Sequence, residues 1–446
     1  MSTDSSSPIQ HSRLAASAAA GAVSPPTHLA AADGARPSQP SNHGDTQIGT
    51  TKPDAIRPFS FHAPEADLAD LRRRINATRF PERETVTDFS QGVPLATVQK
   101  LARYWATEYD WRKVEARLNA VPNFSTEIDG LDIHFIHVRS KHENALPVLI
   151  SHGWPGSIIE QLKIIGPLTN PTAHGGGAAD AFHVVIPSMP GYGFSGKPTE
   201  SGWGPDRMAR AWNVLMTRLG YTSYVAQGGD WGSVVVDYMG VQAPKGLLAI
   251  HTNMPGVIPP AIDAAALAGA SVPEGLSADE KHAYEQAAAF YKDVYYAFIM
   301  GTRPQTLTAL ADSPVGLATF MIDHDARSLE LISRSFNGVS EGLSRDDVLD
   351  NITLFWLTNT AVSAARLYWE YNKTDKLAFF APKGVKIPVA ASAFPDELFQ
   401  PPRSWTEQAY PNLIHYNRLP KGGHFAAWEQ PKAFVNELRV GFKSLR

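Results

Sequence analysis

The chain contains no cysteine, which excludes disulfide cross-links, thiolate metal sites and a thiol nucleophile. It also lacks any imbalance of charge: 44 acidic against 40 basic side chains give a formal net charge of −4. With Lys and Arg scattered, no long-range field favours nucleic acid or an anionic membrane, and a small-molecule partner is expected instead. Missing too is any uncharged apolar run that approaches the roughly 18 residues of a membrane span, so no membrane anchor is expected. Residues 1–55 have almost no large apolar side chains; Ser, Ala, Pro, Gly and Thr dominate. Such a stretch cannot offset its ordering entropy by burial, and a disordered low-complexity tail is expected there. The tail opens on Met1-Ser2-Thr3-Asp4 without a basic residue, and its Ala15–Val23 run is barely hydrophobic. It does not read as a secretory signal, and the expected compartment is the cytoplasm.

What is present is ample material for a core. Of the 446 residues, 43% are hydrophobic and 10% aromatic, and the length exceeds the roughly 250–300 residues that one core supports, which predicts a large domain with smaller attached units. After Pro58, two sets of apolar residues recur at helical spacing: Leu68, Leu71 and Ile75, then Val98, Leu101, Tyr104 and Trp105. They predict two amphipathic helices. Alternation through Ile128–Val138, broken by Asp129-Gly130, predicts a hairpin. Short β-rich runs then alternate with helical stretches, at Pro147–Ser151, His183–Pro187, Tyr224–Gln227, Leu247–His251, Ile387–Ala391 and Leu413–Asn417. That alternation predicts an α/β fold with a mostly parallel central sheet flanked by helices. The one long gap, residues 256–374, is helical in pattern and reads as an inserted lid. The expected division is thus an N-terminal helical extension at 56–145, a core in two parts at 146–255 and 375–446, and the lid between them.

Chemistry concentrates at Tyr224–Ser233, where a β-rich run meets a glycine turn and then the helical pattern Val234–Met239. Gly228-x-Asp230-x-Gly232 matches the G-x-S-x-G nucleophile turn with aspartate in place of serine. Small flanking residues permit the strained corner that lifts a side chain out of a sheet. A carboxylate is already ionised near neutral pH and attacks saturated carbon to give an alkyl ester, whereas serine would imply an acyl substrate. Asp230 is the expected nucleophile. After the first core strand, His152-Gly153-Trp154-Pro155-Gly156 forms a turn that can aim the Trp154 amide at the same centre, and the Trp231 amide supplies a second donor, together an oxyanion hole. Among 15 histidines, His424 stands out because Gly422-Gly423 precede it and it follows the last strand. Nucleophile, acid and histidine then occur in the chain order of this fold. The acid should follow the run Ile387–Ala391, where Asp396 and Glu397 are adjacent; Glu397 is the choice and Asp396 the alternative, acting to fix the His424 tautomer while His424 activates water as general base.

Taken together these residues resemble the epoxide hydrolases of the microsomal type, within the α/β-hydrolase superfamily. The likeness runs from Pro58 to Phe442 and is carried by His152-Gly-Trp-Pro-Gly156, Gly228-Gly-Asp-Trp-Gly-Ser233, Asp312-Ser-Pro-Val-Gly-Leu317 and Gly422-Gly-His-Phe-Ala-Ala-Trp428. It implies that residues 56–145 form the family's N-terminal domain, that the substrate is a small hydrophobic epoxide consumed with water to give a vicinal diol, and that no cofactor or metal takes part. It also implies two lid tyrosines that donate to the epoxide oxygen. One falls shortly before Thr302-Arg303-Pro304, where Tyr296 fits better than its neighbour Tyr295; the other is Tyr368 in Ala365–Glu370. Ring opening needs such donors because an alkoxide is a poor leaving group. Animal members carry a membrane anchor where this chain has its polar tail, so that feature does not carry over, and homodimer formation is left open.

Three patterns look functional and are set aside. Gly191-x-Gly193-x-x-Gly196 mimics a dinucleotide fingerprint, but the sequence after it does not open a helix. His174-Gly-Gly-Gly177 mimics a lipase motif yet precedes its strand. Asp323-His324-Asp325 has metal-ligand residue types, but on the helix expected there adjacent positions diverge. Two other functions share the pattern: a haloalkane or haloacid dehalogenase, which would not need the tyrosines, and a non-catalytic binding protein on the same fold.

Overall fold

A nine-stranded sheet runs through the computed structural model, which describes residues 52, 54–374 and 378–446. Residues 1–51 and 53 of the expected tail lie outside the described residues. In chain order the strands are β1 (Arg57–Phe59), β2 (Asn123–Ile128), β3 (Leu131–Val138), β4 (Leu146–Ser151), β5 (Phe182–Pro187), β6 (Tyr224–Gly228), β7 (Leu247–Thr252), β8 (Val389–Ala393) and β9 (Leu413–Arg418). They are ordered β1-β2-β3-β5-β4-β6-β7-β8-β9 in space. The pairs from β1 to β5 are antiparallel, and those from β5 through β4 to β9 are parallel. Every residue of β5, β6 and β8 is buried, as expected of parallel strands covered on both faces.

The N-terminal segment holds α1 (Glu65–Asn76), α2 (Leu95–Thr107) and α3 (Trp111–Asn119). Only the first two are among the predicted helices. The third is nine residues long, buries Trp111, Val114 and Leu118, and is started by the Asp110 carboxylate, which accepts from the Arg112 amide at 3.0 Å. Between β2 and β3, Asp129 (φ 52°) and Gly130 (φ 79°) both take left-handed backbone, the two-residue turn that matches strand twist in a hairpin. Core helices α4 (Leu162–Thr169), α5 (Pro205–Arg218) and α6 (Trp231–Gln242) follow β4, β5 and β6.

Between β7 and β8 the chain builds α7 (Pro260–Leu267), α8 (Ala278–Asp293), α9 (Tyr295–Thr302), α10 (Pro314–Ile322), α11 (Ala326–Phe336), α12 (Arg345–Thr358) and α13 (Ala361–Thr374). The N-terminal helices brace this insertion. Trp105 donates to Thr353 Oγ1 at 3.0 Å and Tyr109 to Asp350 Oδ1 at 2.8 Å, both buried. The strand expected at Ile387–Ala391 begins two residues later, at Val389. Pro388 has no N–H to donate; its carbonyl accepts from Ile250, and the donor ladder starts with Val389 to the Asn412 carbonyl at 2.9 Å. Three short helices close the chain, α14 (Arg403–Ala409), α15 (Ala426–Glu429) and α16 (Pro431–Gly441). No helix among the described residues is long and apolar enough to cross a membrane.

Candidate active site

Asp230 sits on the corner between β6 and α6 with φ 50° and ψ −129°, a conformation that costs energy in any residue with a Cβ. Glycine makes the corner possible. A Cβ on Gly228 would lie 2.0 Å from the Gly232 carbonyl oxygen, and one on Gly232 would lie 2.0 Å from that of Ser151. The turn after β4 approaches from the other side, and the Trp154 amide donates to Asp230 Oδ1 at 2.6 Å. The Trp231 amide also bonds the carboxylate. Burial pushes the Asp230 pKa up, while His424, His324 and these two amides work against that shift.

His424 lies in the loop after β9, its Nε2 3.7 Å from Asp230 Oδ2 and its Nδ1 2.6 Å from Glu397 Oε1. The two adjacent acids divide cleanly. The Glu397 side chain is fully buried, whereas that of Asp396 is 49% exposed and pairs with Arg327 at 3.7 Å. Burial opposes a charge on His424, but Glu397, Asp230 and Asp325 outweigh it and push the imidazole up to about 10. The ring is therefore cationic while Asp230 carries its charge.

Tyr296 on α9 and Tyr368 on α13 are both buried, with ring centroids 6.2 Å apart. Tyr368 stands edge-on to Trp231 at 4.7 Å. Burial, assisted by the Asp230 charge, raises both phenols well above their ordinary value, so they are neutral donors. Tyr295 is 48% exposed and donates to Asp323 at 2.9 Å. The helical register thus turns Tyr296 inward and its neighbour away.

Three further side chains outside the expected site set, Glu160, His324 and Asp325, reach the site; of these only His324 and Asp325 carried a sequence signal, as metal-like residue types. Glu160, in the turn before α4, is buried and fills the space that a Cβ on Gly156 would need. Burial pushes its carboxyl up to about 8, so it is neutral at pH 7. With Gly153, Trp154, Asp230 and His424 it lines a cavity of about 20 Å³, room for one water. His324 and Asp325 come from the turn joining α10 to α11, not from a helix as expected for Asp323-His324-Asp325. Because that turn breaks helical geometry, Asp323 points to Tyr295 while Asp325 accepts from or pairs with His324 Nδ1 at 3.0 Å. One donor atom each of Asp230, His324 and His424 fall within 4.8 Å of one another, close enough to share an ion. The proton held on His424 competes with a metal for that nitrogen. The two glycine decoys stay loops: α5 opens only at Pro205, well past Gly196, and His174–Gly177 precedes β5.

The chain is similar over most of its length to proteins of known family. Residues 56–161 match the family described as epoxide hydrolase N terminus, and residues 147–431 match the alpha/beta hydrolase fold. A putative epoxide hydrolase of Stigmatella aurantiaca (strain DW4/3-1) is 51% identical over 393 residues, covering 88% of this chain and 86% of the relative. Epoxide hydrolase 1 of Oryctolagus cuniculus is 34% identical over 86% of this chain and 88% of its own length. Among solved structures, the juvenile hormone epoxide hydrolase of the silkworm Bombyx mori superposes with a TM-score of 0.78 at 29% identity, covering 88% of this chain and 95% of that one. The epoxide hydrolase of Aspergillus niger gives 0.73 at 30% identity, covering 88% and 97%. These relatives favour epoxide hydrolysis over dehalogenation or mere binding, and the chain belongs to the epoxide hydrolase family of the α/β-hydrolase fold and is an epoxide hydrolase.

Proposed function

We propose that hydrolysis proceeds in two steps through an ester on Asp230. The Asp230 carboxylate attacks an epoxide carbon from the side opposite the breaking C–O bond, while Tyr296 and Tyr368 hydrogen-bond the oxygen and one phenol gives it a proton. In the second step His424, oriented by Glu397, takes a proton from water held in the small cavity beside it. The neutral Glu160 carboxyl both donates and accepts there, which suits it to orient that water. Hydroxide adds to the ester carbonyl, the amides of Trp154 and Trp231 stabilise the oxyanion, and collapse releases a vicinal diol. The Trp154 ring beside Asp230 packs against Phe320 and Phe355 at 6.2 and 5.4 Å, and such an apolar surround favours a hydrophobic epoxide. In this reading residues 56–145 act as a brace and residues 256–374 as the lid that carries the tyrosines.

The reading rests on one observation: a buried carboxylate at a strained corner bonds two amides, with a carboxylate-bound imidazole 3.7 Å away and two buried phenols close enough to feel its charge. Single turnover in oxygen-18 water, with enzyme in excess, should place the label in Asp230 and leave the first diol unlabelled. His424→Gln should accumulate a covalent adduct visible by intact mass, and Asp230→Ala should form neither adduct nor diol. Heavy oxygen entering the first diol directly would overturn the ester mechanism.

A further inference from the structure

Proton accounting leaves the proposed cycle one transfer short. Ring opening removes a proton from a tyrosine and leaves a phenolate, yet His424 enters the cycle as an imidazolium and cannot act as a base until it loses one. Moving a single proton from His424 to the phenolate restores both groups. The geometry points to His324 as the residue that carries it, a proton-relay imidazole linking His424 to Tyr296. This inference rests on the ester mechanism and deepens it.

His324 touches both partners. Its ring centroid lies 4.3 Å from that of His424 and 4.9 Å from that of Tyr296, tilted by 30° and 34°. Its Nδ1 is held 3.0 Å from Asp325 Oδ2, which leaves Nε2 as the exchangeable nitrogen; that atom is buried and has no partner among the described residues. A buried nitrogen without a partner is costly, and a site that handles a proton in transit is one reason to retain it. Asp325 repeats for His324 the service Glu397 gives His424: a buried carboxylate on Nδ1 fixes the tautomer and stabilises the cation when the ring is doubly protonated.

The step balances. His424 Nε2 gives its proton, through a bound water, to His324 Nε2, so that His324 becomes an imidazolium paired with Asp325. The same nitrogen then gives the proton to the Tyr296 phenolate. His424 is left neutral and able to deprotonate the hydrolytic water, and Tyr296 is a phenol again. The ionisable groups facing His324 are Asp325, Asp323, His424, Asp230 and Tyr296, with Glu397 behind His424 and Glu429 behind Asp325 and Glu397; burial and those two carboxylates hold Glu429 up to about 7. Burial opposes a charge on Asp325, but its hydrogen bonds from His324 and Ser328 and the charge of His424 help to outweigh it and bring its pKa to about 2, so the counter-ion persists through the working pH range.

The test is rapid-quench measurement of the Asp230 ester by intact mass in wild-type and His324→Phe enzyme, which keeps an aromatic ring in the stack. Ester formation should stay within about twofold of wild type, because Tyr296 starts protonated, while ester decay should slow by about 10²-fold. Decay in the variant should also rise with pH as solvent takes the proton from His424, whereas wild-type decay stays flat. Free imidazole should restore part of the decay rate in His324→Ala. Asp325→Asn keeps the helix cap, since Asn caps as well as Asp, removes the charge, and should slow decay about tenfold. Wild-type ester decay with an unchanged pH profile in folded His324→Phe or Asp325→Asn would overturn the relay. Absence of any ester in the wild-type enzyme would instead overturn the Asp230 reading.

Discussion

At the scale of single residues, position in the fold separates side chains that are chemically equivalent. Asp396 and Glu397 are neighbours, yet one faces Arg327 at the surface and the other bonds His424 at 2.6 Å. Glu397→Gln should therefore lower the rate of diol formation by about 10²-fold or more, through loss of the charge that orients and stabilises the imidazolium. Asp396→Asn should change it by less than about twofold, as surface ion pairs contribute little. Equal losses in the two variants, measured on one substrate, would contradict the assignment. The same contrast holds for Tyr295 and Tyr296. In the sequence, Glu397 and Tyr296 differ from their neighbours only in motif position; the burial that separates each pair depends on β8 and α9 docking against the rest of the chain.

At the scale of elements, the β6–α6 corner holds Asp230 and is the part on which the proposed chemistry depends most directly. Gly232 meets the Ser151 carbonyl of the adjacent β4 turn so closely that a methyl group cannot be accommodated without moving backbone. Gly232→Ala should cost about 3 kcal/mol of stability, the upper end of the usual overpacking range, measured as a lowered denaturant midpoint, and should reduce the yield of folded protein. Unchanged stability would mean the corner is looser than its contacts imply. The insertion between β7 and β8 supplies the other half of the site: α9 and α13 carry the tyrosines, while the α10–α11 turn carries His324 and Asp325. Near its outer surface a cavity of about 510 Å³ is lined by Phe80, Tyr295 and Phe320 among others, and the Phe320 ring is 6.2 Å from Trp154. Phe320→Ala should raise kcat/KM for bulky epoxides about tenfold relative to small ones if that cavity is the approach to the site; an equal effect on both would exclude it.

Across the whole molecule, the charge arrangement couples the site to stability. His424 is raised from 6.5 to about 10 in the folded state, so its ion pairing stabilises the fold fully below about pH 6.5 and is lost as pH climbs through about 10. The difference in Tm between wild type and His424→Gln should accordingly shrink from pH 6 to pH 10.5; a constant difference would show that the imidazolium is not favoured by folding. The sequence alone determined the alternation that makes a parallel sheet and the glycine-flanked aspartate at its corner, because both are local patterns imposed by backbone geometry. Tertiary structure alone decided the Glu160 cavity and the entry of His324 and Asp325 into the site. Each of these depends on which surfaces distant segments bury against one another, and burial at long sequence separation leaves no periodic trace in the chain.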